Sequence, residues 1–188
     1  MSIVLASASP RRIELMERLG IDYIVEPSDY DEHIDIKDPK DFVLKISLEK
    51  ALDVRRRRGK DDIIIAADTV VAFEGEIFGK PESPEDAVKT LERLSGRMNE
   101  VWTGLCVIRG DKVLSEAVLT KVYFDNIEYG DIIGYVETGE PLDKAGSYGI
   151  QGKASLFIKK IEGDYYNAVG FPLNTLYRLL KMLGVNLF

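Results

Sequence analysis

Apolar and polar residues are arranged in blocks that predict an α/β protein. A short apolar stretch at 3–6 predicts a first strand, and the amphipathic stretch 9–20 that follows it predicts a helix. A longer amphipathic pattern opens at a proline and predicts a second helix over 39–58. The continuous apolar run at 63–67 is typical of a strand that is covered on both faces. Strands and helices that alternate in this way indicate a mixed twisted sheet with packed helices.

The second half of the chain predicts hairpins and further helices. Glu74-Gly75 predicts a tight turn, and Gly110-Asp111 predicts the turn of a long hairpin between strands at 102–108 and 112–124. Helices are predicted from Ser83 to near Gly96, over 128–137 and over 173–183, a glycine-rich loop over 143–152, and another strand over 156–161.

Length and charge limit the classes of function. The 188 residues predict one domain spanning 1–188, and the net charge of −7 argues against broad attraction to nucleic acid or to an anionic membrane. No apolar run approaches the roughly 20 residues that span a bilayer, and no signal peptide is recognised, so we expect a cytoplasmic protein. The single cysteine, Cys106, lies in an apolar stretch and is interpreted as a core residue.

The loop between the first strand and the first helix is a candidate phosphate site. Ser7 and Ser9 offer hydroxyls, and Arg11 and Arg12 offer guanidiniums, beside the N–H groups of a helix N-terminus. The alternative is a plain connection whose arginines face solvent. The basic run Arg55–Arg58 is interpreted as a solvated helix end, because cations are favourable at that end of a helix.

Asp68 is the strongest candidate for a catalytic residue. It follows five apolar residues of a buried strand, where a carboxylate is costly unless it binds something, and strand ends line ligand sites in open α/β sheets. The alternative is an aspartate that only orders its turn. Glu32, in the acidic loop 27–37, is a candidate second carboxylate ligand, and His33 beside it is interpreted as exposed. Two carboxylates without cysteine predict a hard divalent cation, Mg²⁺ or Mn²⁺.

Three further residues are candidates for contacts to a nucleotide. Lys50, on the inward side of its predicted helix, and Lys80, in a Gly-Lys-Pro turn, could each meet a polyphosphate. Gln151 is the only glutamine and lies in the glycine-rich loop. Its amide both donates and accepts, so it could pair with the edge of uracil or thymine. The alternative is that it satisfies backbone groups of its own loop.

Taken together, these residues resemble the motifs of the Maf family of nucleoside triphosphate pyrophosphatases over nearly the whole chain. Several separated motifs in the right order are far more specific than any one of them. The matching segments are Ser7-Ala8-Ser9-Pro10-Arg11-Arg12, Glu32, Lys50-Ala51, Ala66-Ala67-Asp68-Thr69, Gly79-Lys80-Pro81, Ser95-Gly96, Asp143 to Gly152, and Gly170-Phe171-Pro172.

The resemblance implies an inosine triphosphatase-like α/β fold with two lobes around a central cleft, and a homodimer. The ending Tyr148-Gly149-Ile150-Gln151-Gly152 is similar to the branch that acts on dTTP and UTP. Asp68 would then be the proton acceptor, and Arg11, Thr69 and Gln151 would set the substrate preference.

The resulting hypothesis is hydrolysis of dTTP or UTP to the monophosphate and pyrophosphate. Glu32 and Asp68 would hold the metal, and Arg11, Arg12, Lys50 and Lys80 would stabilise phosphate charge. The alternative is a nucleotide-sensing protein linked to cell division, since the family carries an association with septum formation. A pure binding protein does not need Asp68 and Glu32 as a catalytic pair, so release of pyrophosphate distinguishes the two.

Overall fold

The computed structural model describes residues 1–187 of the chain. Its strands are β1 (Ile3–Leu5), β2 (Tyr23–Val25), β3 (Ile63–Phe73), β4 (Glu76–Phe78), β5 (Met98–Arg109), β6 (Lys112–Phe124) and β7 (Ile158–Glu162). Its helices are α1 (Pro10–Arg18), α2 (Pro39–Arg57), α3 (Pro84–Leu94), α4 (Tyr129–Glu137), α5 (Tyr165–Val169) and α6 (Leu173–Met182). Short 3-10 segments span Glu140–Asp143, Ala145–Ser147 and Lys153–Phe157.

The seven strands within residues 1–187 form one mixed sheet in the order β2-β1-β3-β5-β6-β7, with β4 paired to β3. The predicted mixed α/β class is therefore confirmed. The chain divides into two compact units. The first contains Met1–Asp68, Thr103–Val118 and the described part of the segment that starts at Gly170, and the second contains Thr69–Trp102 and Leu119–Val169.

The first unit is built around parallel strands. β1 pairs in parallel with β2 on one side and with the start of β3 on the other, so that Val4 lies opposite both Ile24 and Ile64. Because parallel neighbours need a crossover, α1 and α2 carry the chain back between these strands. One buried core cluster of this unit comprises Val4, Ala6, Ala51, Val54, Ile64, Ala66, Cys106 and Ile108. The core position predicted for Cys106 is confirmed, and burial raises the pKa of its thiol to about 11.

A glycine in β5 allows α2 to lie against the sheet. A Cβ atom at Gly104 would stand 2.1 Å from the carbonyl oxygen of Val43, a backbone atom of α2. No side chain fits there without moving the backbone, because real carbon and oxygen atoms do not approach so closely. Gly104 therefore sets the distance between α2 and the sheet.

The ends of the first two helices involve the residues that flank them. Gly20 follows α1 with φ of +65°, the left-handed conformation typical of a residue after a helix. Asp38 caps α2, and its side chain accepts a hydrogen bond from the backbone N–H of Asp41 at 2.9 Å. At α1 the detail differs. Ser9 occupies the N-cap position, but its side chain makes no capping hydrogen bond.

The second unit begins with the predicted turn and helix. Glu74 and Gly75 both have positive φ, 51° and 82°, which suits the tight turn between β3 and β4. Ser83 caps α3 by accepting a hydrogen bond from the N–H of Asp86 at 3.2 Å. The core of this unit includes Val71, Phe73, Ala87, Leu91, Leu94, Val101, Val122, Phe124, Ile132, Tyr135, Val136, Tyr148 and Ala154.

Several predicted elements of the second unit are wrong in detail. The strand predicted over 156–161 begins only at Ile158, because Lys153–Phe157 forms a 3-10 turn that leaves Leu156 exposed. The glycine-rich loop over 143–152 contains a short 3-10 segment and follows another. β5 begins at Met98, four residues before the predicted start, and the short helix α5 was not predicted.

Among residues 1–187, the helices are each too short or too polar to cross a lipid bilayer.

Candidate active site

Asp68 lies in the interior of β3 and not at its end. The strand continues to Phe73, and the buried apolar positions on both sides of Asp68 hold the backbone in extended conformation. The side chain of Asp68 is only 9% exposed. The strand continues through Val70 to Phe73, as its apolar residues predict, and Val71 to Phe73 pair with β4, so Asp68 does not stand at the end of the strand. A buried carboxylate in mid-strand needs a partner more strongly than an exposed one does.

Lys50 is that partner. Its Nζ atom lies 2.8 Å from Oδ1 of Asp68 and 2.7 Å from Oε1 of Glu32. Lys50 is on the buried stripe of α2, three and four residues from Ser47 and Val54, which explains why its side chain is only 11% exposed. The structure thus brings together three of the predicted site residues. Glu32 differs from the other two, because its side chain is 56% exposed and it lies in a segment without regular secondary structure.

The opening loop is held by Arg12. Its Nη1 atom donates to the carbonyl oxygen of Ala67 at 2.8 Å and to Oγ of Ser7 at 3.3 Å, and its Nε atom donates to the carbonyl oxygen of Gly170 at 2.9 Å. Oγ of Ser7 also accepts a hydrogen bond from the N–H of Ser9 at 3.2 Å. Arg12 therefore ties the loop to β3 next to Asp68. The sequence suggested a phosphate contact, and the structure adds this positioning role.

The charges around Arg12 come from other predicted site residues. Burial lowers the pKa of Arg12, and the charge of Asp68 opposes this shift. Arg11 lowers it further and Glu32 raises it. Arg11 itself is half-buried at the start of α1. The loop, the two arginines and the two carboxylates thus form one electrostatically coupled group within the first unit.

The remaining candidates belong to the second unit. Thr69 is half-buried in β3 directly after Asp68. Lys80 and Gln151 both have exposed side chains, and Gln151 lies in a turn between buried Ile150 and half-buried Gly152. Lys80 follows Gly79, whose carbonyl oxygen accepts a hydrogen bond from the N–H of Gly146 at 3.0 Å. The turn that carries Lys80 is therefore tied to the segment that leads to Gln151.

The carboxylates of Glu32 and Asp68 could hold a hard cation only together with ligands that the protein does not supply. Within residues 1–187, no group of three or more His, Cys, Asp or Glu side chains could hold a metal ion. Glu32 and Asp68 share one ammonium group, and two carboxylates suit Mg²⁺ or Mn²⁺ when water and phosphate oxygens complete the shell. His33 is 96% exposed, as predicted, and pairs with Asp31.

The basic run at the end of α2 is engaged by carboxylates and backbone. Arg57 contacts Asp53 at 3.1 Å, and Nε of Arg58 lies 2.5 Å from Oε2 of Glu26. Arg55 donates to the carbonyl oxygen of Gly59 at 2.5 Å. These contacts agree with the predicted helix end.

Sequence reasoning missed the residues that support the site. The sequence pattern places Tyr135 in a helix and does not single out Glu140, yet both contribute hydrogen bonds to the turn that carries Gln151 or to its next residue. The signal for this support in the sequence is the pair Gly149 and Gly152, because glycines often mark positions that another group approaches closely.

Known proteins similar to this chain give a consistent picture. The chain is 47% identical to a dTTP/UTP pyrophosphatase of Thermococcus kodakarensis over 97% of this chain and 96% of that protein. It is 46% identical to a dTTP/UTP pyrophosphatase of Clostridium tetani over the full length of both. A HAM1 protein from Coxiella burnetii shares the fold, with a TM-score of 0.57 at 14% identity, covering 97% of this chain and 99% of that one. The model of the family described as Maf-like protein matches residues 2–183, and the chain belongs to this family.

Proposed function

We propose that this protein is a nucleoside triphosphate pyrophosphatase that hydrolyses dTTP and UTP to the monophosphate and pyrophosphate. The observation that carries the proposal is the buried contact of Lys50 with Asp68, which Glu32 joins from a loop. This arrangement occurs in a member of the Maf family whose relatives are named dTTP/UTP pyrophosphatases. In this reaction water would break the phosphoanhydride bond between the α- and β-phosphates.

Asp68 is the proposed general base. In the Lys50–Asp68 pair only the carboxylate can accept a proton, so Asp68 would take the proton of the attacking water. Its position inside β3 fixes the backbone from which it acts, and this reduces the reorganisation needed at the moment of reaction. The side chain needs only to exchange its contact with Lys50 for one with the water.

Basic side chains would stabilise the phosphate charge. Lys50 would turn from the carboxylates towards phosphate oxygens, and Arg11 and Arg12 would act from the start of α1, where the helix N-terminus adds its own positive potential. Ser7 and Ser9 would contribute hydroxyl or backbone donors, and Lys80 would contribute a further cation. Positioning and charge stabilisation carry most of phosphoryl-transfer catalysis.

Glu32 and Asp68 would hold a divalent cation, Mg²⁺ or Mn²⁺. The chemistry that such a cation supplies is neutralisation of phosphate charge and activation of water. The two carboxylates on one ammonium support this proposal, since Lys50 already occupies a place that suits a positive charge.

Preference for pyrimidines would depend on Arg11, Thr69 and Gln151. The exposed amide of Gln151 can donate to a carbonyl oxygen and accept from an N–H, which is the pattern on the edge of uracil and thymine.

A screen of nucleoside triphosphates with Mg²⁺ and with Mn²⁺ tests the proposal. Monophosphate, pyrophosphate and inorganic phosphate are measured separately. Release of dTMP and pyrophosphate in equal amounts from dTTP supports the assignment. Release of inorganic phosphate alone contradicts the bond cleaved, and tight binding of dTTP without turnover favours the nucleotide-sensing alternative.

We also propose that the protein acts as one Maf domain over 1–188, as a cytoplasmic homodimer. The family match over residues 2–183 supports the single domain. Sedimentation equilibrium measures the mass in solution against 21.1 kDa for one chain. A mass that stays at this value at all concentrations would exclude the dimer.

A further inference from the structure

The turn that carries Gln151 is held in place through the carboxylate of Glu140. The N–H of Gly152 donates to the carbonyl oxygen of Gly149 at 3.0 Å, so Ile150 and Gln151 are the central residues of a four-residue turn. Ile150 is buried and Gln151 is exposed. A turn of this size has little contact area of its own, so its position depends on the groups that bind its two ends.

Glu140 reaches both ends of this turn. Its Oε2 atom accepts a hydrogen bond from the N–H of Lys153 at 3.1 Å, just after the turn. Its Oε1 atom accepts a hydrogen bond from the hydroxyl of Tyr135 at 3.1 Å, and that hydroxyl accepts one from the N–H of Gly149 at 3.3 Å. One half-buried carboxylate therefore connects the residue that opens the turn with the residue that follows it.

Both glycines of the turn leave room for this support. A Cβ atom at Gly152 would lie 1.9 Å from Oε1 of Glu140, and one at Gly149 would lie 2.6 Å from Cε of Lys144. The backbone at Gly152 is extended, with φ of −99°, which alanine also adopts. Close packing, and not backbone conformation, is thus the reason for a glycine at position 152.

The other members of this group are themselves well held. The ring of Tyr135 packs edge-on against Phe157 with centroids 5.7 Å apart. Burial raises the pKa of the Tyr135 hydroxyl far above its ordinary value, and this hydroxyl donates to Glu140. Lys144 donates to the backbone carbonyl oxygen of Glu140 at 2.7 Å. Glu140 is therefore fixed at its backbone as well as at its carboxylate.

We propose that Glu140, with Tyr135, is a positioning residue that sets pyrimidine preference by holding the Gln151 turn. This inference rests on the proposed function, because it takes Gln151 as the residue that reads the base. Glu140 does not itself contact the substrate. Without its carboxylate, the turn keeps its internal hydrogen bond but loses its attachment at Lys153, and the Tyr135 hydroxyl that binds Gly149 loses its own acceptor. The Gln151 amide then no longer presents one orientation to the base.

Kinetics of Tyr135→Phe and Glu140→Ala test this role. We expect the ratio of kcat/KM for dTTP to that for dCTP to fall about fivefold in each variant. This is the effect of losing one hydrogen bond of about 1 kcal/mol that orients the Gln151 amide. The change should appear mainly in KM for dTTP, with kcat nearly unchanged. A purely structural role would lower the activity towards both substrates equally and leave the ratio unchanged.

Tyr123→Phe is the matched control. The hydroxyl of Tyr123 donates to Oε2 of Glu162 at 2.9 Å, so this variant also removes a hydrogen bond from tyrosine to glutamate in the same unit, on β6 and β7. We expect it to keep the wild-type substrate ratio. A ratio that falls equally in Tyr123→Phe and Tyr135→Phe would overturn the inference.

A double-mutant cycle provides a sharper test. The methyl group of Gly152→Ala would displace the Glu140 carboxylate, so Gly152→Ala should lower the substrate ratio as much as Glu140→Ala does. Because the first change already removes the contact, Glu140→Ala/Gly152→Ala should be no worse than either single variant. Effects that simply multiply would show that Gly152 acts independently of Glu140, and would overturn the inference.

Three measurements separate failure of this inference from failure of the proposed function. Absence of dTTP hydrolysis by the wild type would refute the function, and an unchanged ratio in Gln151→Ala would refute the reading of the base by Gln151. Amide hydrogen exchange of the free protein does not depend on either. We expect faster exchange at Lys153 in Glu140→Ala and at Gly149 in Tyr135→Phe than in the wild type, because each variant removes the acceptor of that N–H, and equal exchange would refute the attachment.

Discussion

Removal of the Lys50 ammonium should destabilise the protein more than any other single change at the candidate site. Lys50→Met keeps an unbranched chain of similar length and similar helix propensity, but it leaves the carboxylate of Asp68 buried without its nearest cation. Breaking a buried ion pair by removing one partner costs about 3–5 kcal/mol. The charge of Arg12 still acts on Asp68, so we expect the lower end, about 3 kcal/mol.

Glu32 adds little to this loss. Its side chain is 56% exposed, and exposed pairs contribute only about 0–1 kcal/mol. For a chain of this size, about 3 kcal/mol corresponds to a fall in Tm of roughly 6–12 °C. Urea unfolding followed by circular dichroism gives the free energy directly, and thermal unfolding gives Tm.

Two further variants make this test decisive. Lys45→Met, on the same helix, removes an exposed lysine that pairs with Glu49 at 2.6 Å, and it should destabilise the protein far less than Lys50→Met does. Lys50→Met/Asp68→Asn removes the charge left behind and should be more stable than Lys50→Met alone. The reasoning fails if Lys50→Met and Lys45→Met are equally stable, or if the double variant recovers nothing.

Three other predictions concern chemistry and pH. Asp68→Asn should lower kcat with dTTP by about 10²-fold or more while the protein stays folded, because the amide cannot accept the proton; unchanged kcat at saturating Mg²⁺ would exclude Asp68 as the base. Gln151→Glu should lower kcat/KM for dTTP and UTP, since N–H donors are lost and a negative charge is added; steady-state kinetics that match the wild type would rule out base reading. The buried thiol of Cys106, with a pKa raised from 9.0 to about 11, stabilises the fold below pH 9 and loses this effect as pH rises towards 11. The difference in free energy of unfolding between wild type and Cys106→Ala should therefore narrow over that range, and a constant difference in urea titrations would contradict the raised pKa.

Local patterns predicted most of the secondary structure because their causes are local. Ser83 caps α3 at the residue from which the sequence predicts this helix, and the Glu74-Gly75 turn needs only its own backbone. The predicted start of the strand at 156–161 is wrong for a non-local reason. Lys153 follows a turn whose carboxylate partner, Glu140, lies thirteen residues earlier, and the chain forms a 3-10 segment before Ile158.

The candidate site could be predicted as a set of residues but not as a geometry. A lysine on the buried stripe of a helix and an aspartate within an apolar strand each need a partner, so Lys50 and Asp68 could be singled out. That they are partners of each other depends on how α2 packs on the sheet, which no local pattern records. The hydrogen bonds of Arg12 to Ala67 and Gly170 depend on tertiary structure in the same way.

The close approach of the Val43 backbone to Gly104 makes this glycine important for the site, although it has no reactive group. Because a methyl group there meets the backbone of Val43, any larger residue shifts the helix that carries Lys50. A saturation screen scored by dTTP hydrolysis should therefore find position 104 about as intolerant as position 68, although glycine has no group that could take part in the reaction. Intolerance at position 104 would then mark a support of the Lys50 side chain, and not a group that takes part in the reaction.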